Sequence, residues 1–450
     1  MSDSPGQHPY KKVGVVACAA LVIANMIGTG VFTSLGFQVG SLPSPFVLCL
    51  LWALGGLVAL CGALSYCELA AAFPQSGGEY NFLSKTFHPA LGFASGFVSV
   101  AVGFAAPIAL VAMALSAYLA AAFPSSLSSS VLFAMPFCAV VALAAVHAVA
   151  VKASGIFQIV ITALKIGMIL LFLALGFTRG NLAGADFAPS PGNLSLILSP
   201  AFAIALMFVL YAYTGWNSVT YILDEVRTPQ TTAPRAILFA TLLVTLLYVA
   251  LNALFLRAAP LGAYAGKIGV AGVAAEALFD ARSGRLMAAL IGGGLLASLS
   301  AMTWAGPRVS QAIGRDLHAL RLLNRTSPEG IPRTALAVQT ALALLFLATG
   351  TFETVLVYAQ FALVTCSFLT VLGVVVLRKT RPGLERPFRC PLFPLPPIIF
   401  LAVTGFALAY TASLKPREAI AGSLTLLAGV FLHGLAARSG KIACSPKKDC

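Results

Sequence analysis

Two short stretches combine glycine with hydroxyl and amide groups inside otherwise apolar sequence. They are Asn25-Met26-Ile27-Gly28-Thr29-Gly30-Val31-Phe32 and Tyr211-Ala212-Tyr213-Thr214-Gly215-Trp216-Asn217. Each glycine weakens a helix by about 1 kcal/mol relative to alanine, so both stretches are places for a helix to break. A break leaves free carbonyls at the end of one half-helix and free N–H groups at the start of the next. The N–H end favours an anion and the carbonyl end a cation. A zwitterion with adjacent carboxylate and ammonium satisfies both without any charged side chain. The chemistry indicated is recognition of an amino acid backbone, at Gly28-Thr29-Gly30 and Thr214-Gly215. Taken alone, the first stretch reads as a seam of small residues for close helix contact. Its recurrence at a corresponding place in the second half of the chain points to a binding site.

One charged side chain also stands out. Lys165 lies ten residues into an apolar run, about 15 Å deep at the helical rise. Its arm, about 6 Å long, is too short to snorkel to either interface. Facing lipid it would cost at least ~2.5–3.5 kcal/mol, so it is expected to face the interior and meet carbonyls or a carboxylate. Acids near the spans are few: Glu68, Asp224, Glu225 and Glu353. Carbonyls exposed by the first break are therefore its expected partners. His147 and His433 read as packed neutral residues. No nucleophile–base pair, HExxH or phosphate loop is present, so the sequence points to neither an enzyme, a cofactor nor a metal site.

The elements that must position these groups are membrane helices. The chain has 450 residues, 59% hydrophobic and 9% charged, where a soluble domain carries about 25% charged residues. Apolar runs of twenty or more residues can cross about 30 Å of hydrocarbon. In lipid such runs must be helical, because nothing there bonds an open backbone. Twelve spans are predicted: 13–39, 44–72, 90–122, 131–150, 155–177, 197–223, 234–256, 286–308, 333–350, 354–377, 396–414 and 418–437. They form one transmembrane domain, 1–450. An even count places both termini on one side. That side receives twenty of the 28 Lys and Arg residues and the other receives seven, with Lys165 inside a span. Both termini are therefore expected in the cytoplasm, in the cell membrane. This bias accounts for the net charge of +14 without a nucleic-acid partner. Residues 1–12 run straight into span 1 with no signal-peptide pattern. The nine cysteines read as packing residues without a disulfide framework, and Cys444 and Cys450 make no prenylation box. The longest external loop, 258–285, is expected to lay a short helix, Val270 to Phe279, on the outer face.

The residues also match a family pattern. Ile27-Gly28-Thr29-Gly30-Val31-Phe32, Glu68-Leu69, and Phe73-Pro74-Gln75-Ser76-Gly77-Gly78-Glu79-Tyr80 occur in order. Tyr213-Thr214-Gly215-Trp216-Asn217 with Asp224-Glu225, Pro234-Arg235-Ala236-Ile237, Gly306-Pro307-Arg308, Gly314-Arg315-Asp316 and Arg386-Pro387-Phe388 follow. Over nearly its whole length the chain resembles the amino acid–polyamine–organocation transporters, and within them the L-type amino acid transporters. The resemblance implies an all-α fold with a five-plus-five inverted repeat and discontinuous helices 1 and 6. Repeat one covers about 13–177, repeat two about 197–377, and two further helices about 396–437. It implies a substrate site of Met26, Ile27, Gly28, Thr29 and Gly30 on helix 1 and Tyr211, Ala212, Thr214, Gly215 and Asn217 on helix 6. Tyr211 would be the gate, and Lys165 would stand in for a bound sodium ion. Thr214 replaces a glycine common in L-type relatives, which would narrow the pocket. The turn between spans 3 and 4 lacks the cysteine that animal light chains use to attach a glycoprotein, so no disulfide-linked heavy chain is expected.

The function expected is sodium-independent amino acid transport by alternating access, as an exchanger or a proton-coupled permease. Neutral substrates are favoured because no acid falls among the helix 1 and helix 6 residues. Cationic amino acids or polyamines are the alternative. A non-transporting sensor or receptor on the same scaffold is the rival of another class. The particular amino acid, the coupling and the oligomeric state are left open.

Overall fold

The computed structural model describes residues 13–124, 126–149, 155–182, 185–316, 322–327 and 331–438. The readings made on residues 1–12, Lys152, Arg321, Cys444, Cys450 and the other basic residues after 438 lie outside them.

Every extended element among the described residues is a helix. Eleven are at least 18 residues long and apolar enough to cross a membrane, and a twelfth, Arg333–Thr349, has 17 residues. Uninterrupted crossings are Pro45–Ala72, Ser129–Val149, Gly155–Arg179, Pro229–Ala258, Ala281–Asp316, Phe352–Thr380, Leu395–Leu414 and Pro416–Arg438. These are spans 2, 4, 5, 7, 8, 10, 11 and 12, and Arg333–Thr349 is span 9. Three crossings are interrupted. Span 1 runs Val15–Met26 and resumes at Gly30–Thr33; span 6 is Pro200–Tyr213 followed by a 3-10 stretch, Ser218–Glu225. Span 3, expected as one run, is Pro89–Val98 and Ala105–Ala122 joined by a π turn, Ser99–Gly103. Several starts are set locally. Ser44 and Ser199 accept hydrogen bonds from Val47 N and Phe202 N, each with proline next in line, where its missing N–H costs nothing.

Burial sorts the helices. The apolar stretch of span 6 is 72% buried and that of span 4 only 17%. Phe133, Val149 and Leu164 on the outer helices are largely exposed to the surroundings, an arrangement suited to lipid and costly in water. Spans 1 and 6 occupy the centre. Their ends on the side of the 73–88 segment are joined by main chain: Val13 N donates to Glu225 O (2.8 Å) and Arg227 N to Val13 O (2.9 Å).

On the opposite side, Leu261–Tyr264 and Val270–Leu278 close over span 1. Gly266 N donates to Gly36 O (2.9 Å), and Tyr118 Oη on span 3 to Phe32 O (2.7 Å). The helix expected to lie on the outer face is present, but its Val270, Ala271, Ala274, Ala275 and Leu278 are buried. It is folded into the bundle as a cover, because its apolar side chains recur at helical spacing.

Glu68, near the end of span 2, is tied across the bundle. It takes Nε and Nη2 of Arg378 at 2.9 and 2.6 Å, Arg386 Nε at 3.3 Å and Cys390 N at 2.7 Å. Removing one partner from a buried charge cluster costs about 3–5 kcal/mol. Glu68→Gln is expected at the low end, since Arg378 keeps a quarter of its side-chain surface. The thermal midpoint of the purified protein in detergent measures it; an unchanged midpoint would show that the cluster does not hold spans 2 and 10 together.

Candidate functional site

The first break follows from Ile27, whose φ −76°, ψ 81° leaves the helical region, with Gly28 N turning back to Met26 O at 2.8 Å. The carbonyls released there are taken up by side chains. Tyr248 Oη of span 7 donates to Met26 O (2.5 Å) and Lys165 Nζ of span 5 to Ile27 O (3.3 Å). Lys165 Nζ also donates to Ser298 Oγ of span 8 (2.6 Å). The ammonium thus joins spans 1, 5 and 8 and, among the described residues, meets no carboxylate, in a small cavity walled by Ile27, Gly28, Phe32, Lys165 and Ser298. A side chain at Gly28 would meet nothing within 4 Å, so this is open ground at the break.

The second break comes at Thr214 (φ −55°, ψ 139°) and Gly215 (φ +112°). Only glycine adopts such a φ without strain. Thr214 Oγ1 lies 3.0 Å from Leu210 O and 3.2 Å from Gln360 Oε1 of span 10, so its one proton serves either. The two breaks interlock. A Cβ on Gly30 would fall 2.4 Å from Ala212 Cα, and one on Gly215 2.8 Å from the carbonyl carbon of Asn25. Thr29 Oγ1 stands 3.5 Å from Tyr211 Oη.

Beside the second break lies a cavity of about 150 Å³, comparable to an engineered cavity that holds benzene. Asn25, Thr214, Gly215, Asn217, Gln360 and Glu79 contribute to its wall, together with the π turn of span 3. A π turn is often found at a functional position in a helix. Of the predicted site residues, Thr214, Gly215 and Asn217 line this cavity, and Ile27 and Gly28 line the small one. Met26, Thr29, Gly30, Tyr211 and Ala212 form a wall of neither and are buried against one another.

Three contributors were missed in the sequence: Ser298, Gln360 and Glu79. Glu79 opens the short helix Glu79–Thr86 between spans 2 and 3, and lies buried in the cavity wall. Its signal in the sequence was its place in the Phe73–Tyr80 motif, behind the Gly77-Gly78 pair, with nothing to set it beside the breaks. At the other end of that helix Lys85 is engaged elsewhere, donating to Gln75 Oε1 (2.6 Å). Burial pulls its ammonium below the usual lysine range, and nearby Asp224 acts against that. Glu353, one of the few acids near the spans, is paired with Lys415 at 2.7 Å. His147 contacts Ser300 Oγ (2.9 Å), and His433 packs on Phe93 and His88. The described residues hold no group of three His, Cys, Asp or Glu suited to a metal.

Among the described residues, twelve apolar helices, two of them broken face to face beside a cavity with polar groups in its wall, define a polytopic helical membrane protein. The chain belongs to the amino acid permease family, whose profile matches residues 13–432. It is similar to the mouse b(0,+)-type amino acid transporter 1, 27% identical over 432 residues, covering 94% of this chain and 88% of the relative. The mouse Asc-type amino acid transporter 1 is 26% identical over 449 residues, covering 95% and 82%. The serine/threonine exchanger SteT of Bacillus subtilis is 26% identical over 409 residues, covering 89% and 91%.

Proposed function

We propose that the chain is a sodium-independent transporter of small neutral amino acids that exchanges its substrates by alternating access. The observation that carries the reading is the Lys165 ammonium on Ile27 O, at the break of span 1. A fixed cation there holds the broken backbone where a metal ion would otherwise be needed. Relatives named as amino acid transporters and as an exchanger support it. The substrate carboxylate would meet the N–H groups that begin the second half of span 1, and its ammonium the carbonyls ending the first half of span 6. The modest cavity and Thr214 in its wall favour a small side chain. The bias of basic residues supports a cytoplasmic position for the Val13 side of the bundle.

Proteoliposomes preloaded with unlabelled serine or alanine are expected to accumulate the labelled amino acid without sodium, and empty vesicles are not. Strong uptake into empty vesicles under a pH gradient would replace exchange by proton coupling. Tight binding without flux would make the protein a sensor.

A further inference from the structure

Glu79 is 4% exposed, yet every group bonded to it is neutral. Oε1 accepts from Tyr66 Oη of span 2 (2.9 Å) and from Asn217 Nδ2 beside the second break (2.5 Å). Oε2 accepts from Tyr221 Oη (2.5 Å). Among the described residues no Lys, Arg or His stands within ion-pair distance of it, whereas buried Glu68 has two arginines and Glu353 has Lys415. A buried carboxylate without a cation is costly, typically several kcal/mol even after relaxation. A carboxylate offers about four lone-pair sites, and three are filled here.

The same cavity wall holds other unused acceptors. Ser95 Oγ, on a residue 1% exposed, has only the Cys366 thiol, a weak partner, beside it; Ser218 Oγ is buried without a hydrogen-bond partner. One anionic oxygen with a vacant site and two hydroxyls match a group that is cationic, small and rich in donors. A primary ammonium has three N–H donors and a full positive charge. A divalent metal finds one carboxylate where it needs several.

We propose that the Glu79 end of the cavity is a binding site for a protonated primary amine. Resting on the transporter reading, its natural occupant is the ammonium group of the amino acid in passage, once it has left the span 6 carbonyls and moves between the helix breaks and the Val13 face of the bundle. Amine binding itself does not depend on transport.

The purified full chain in detergent is to be titrated with methylammonium, sodium and tetramethylammonium chlorides at constant ionic strength, reading the thermal midpoint. Methylammonium alone is expected to raise it saturably. Losing a charge-assisted hydrogen bond should raise the half-saturating concentration about tenfold or more in Glu79→Gln. Ser95→Ala, a milder change less prone to misfold, is expected to weaken it about threefold or more, the worth of a neutral hydrogen bond. Equal shifts with tetramethylammonium, matching shifts with sodium, or no change in either variant would overturn the site. Counterflow of the wild type is measured in parallel. Exchange without the methylammonium shift refutes the amine site and leaves the transporter reading standing; the shift without exchange does the reverse.

Discussion

Lys165→Ala is expected to reduce counterflow about tenfold to a hundredfold while the protein still purifies as a folded, monodisperse species. The ammonium makes two charge-assisted hydrogen bonds, to Ile27 O and Ser298 Oγ, and such bonds are worth about 1.5–3 kcal/mol each. Only the part that differs between conformations governs the transport cycle. If one of the two bonds is made in one state and broken in the other, the rate changes by about a factor of 10 to 100. Arginine is not expected to rescue, because a planar fork cannot replace a point charge in the small cavity beside Gly28. Initial counterflow rates at matched reconstitution decide it. Activity within a factor of two of wild type would remove Lys165 from the mechanism.

The glycines at the breaks should separate into two kinds. Gly215→Ala carries two penalties: a φ of +112° and a Cβ 2.8 Å from the backbone of Asn25. The strained backbone costs about 1–3 kcal/mol, and overpacking adds about 1–3 kcal/mol. Loss of most of the folded protein is expected, seen as aggregation on size exclusion. Gly28→Ala meets no atom within 4 Å. Its thermal midpoint should stay near wild type, while its half-saturating substrate concentration rises because the methyl group enters the ground proposed for the ligand. A stable Gly215→Ala, or a Gly28→Ala with unchanged affinity, would show that the breaks play other parts.

The sequence made the breaks legible because glycine and threonine at mid-membrane weaken a helix in a way local chemistry predicts. Lys165 was legible because its depth alone forbade lipid, and its bond to Ile27 O is of the kind that depth required. What escaped notice depended on distant pairing. Glu79 belongs to the Phe73–Tyr80 motif after span 2, but only the fold carries it between Tyr66 and Asn217. Glu353 looked available until the turn before span 12 brought Lys415 to it. The short helix Val270–Leu278 was visible in the pattern; its burial was not, since the pattern does not say what covers an apolar face. The close fit of Gly30 on Ala212 is likewise a matter of how two backbones meet.

The paired backbone bonds at Val13, to Glu225 and from Arg227, have a mechanical consequence. They sew the tips of the two inner half-helices together without using any side chain. The segments that precede the break in span 1 and follow the break in span 6 therefore behave as one lever. An opening toward that side either swings both arms at once or gives up two hydrogen bonds, about 1–3 kcal/mol in total.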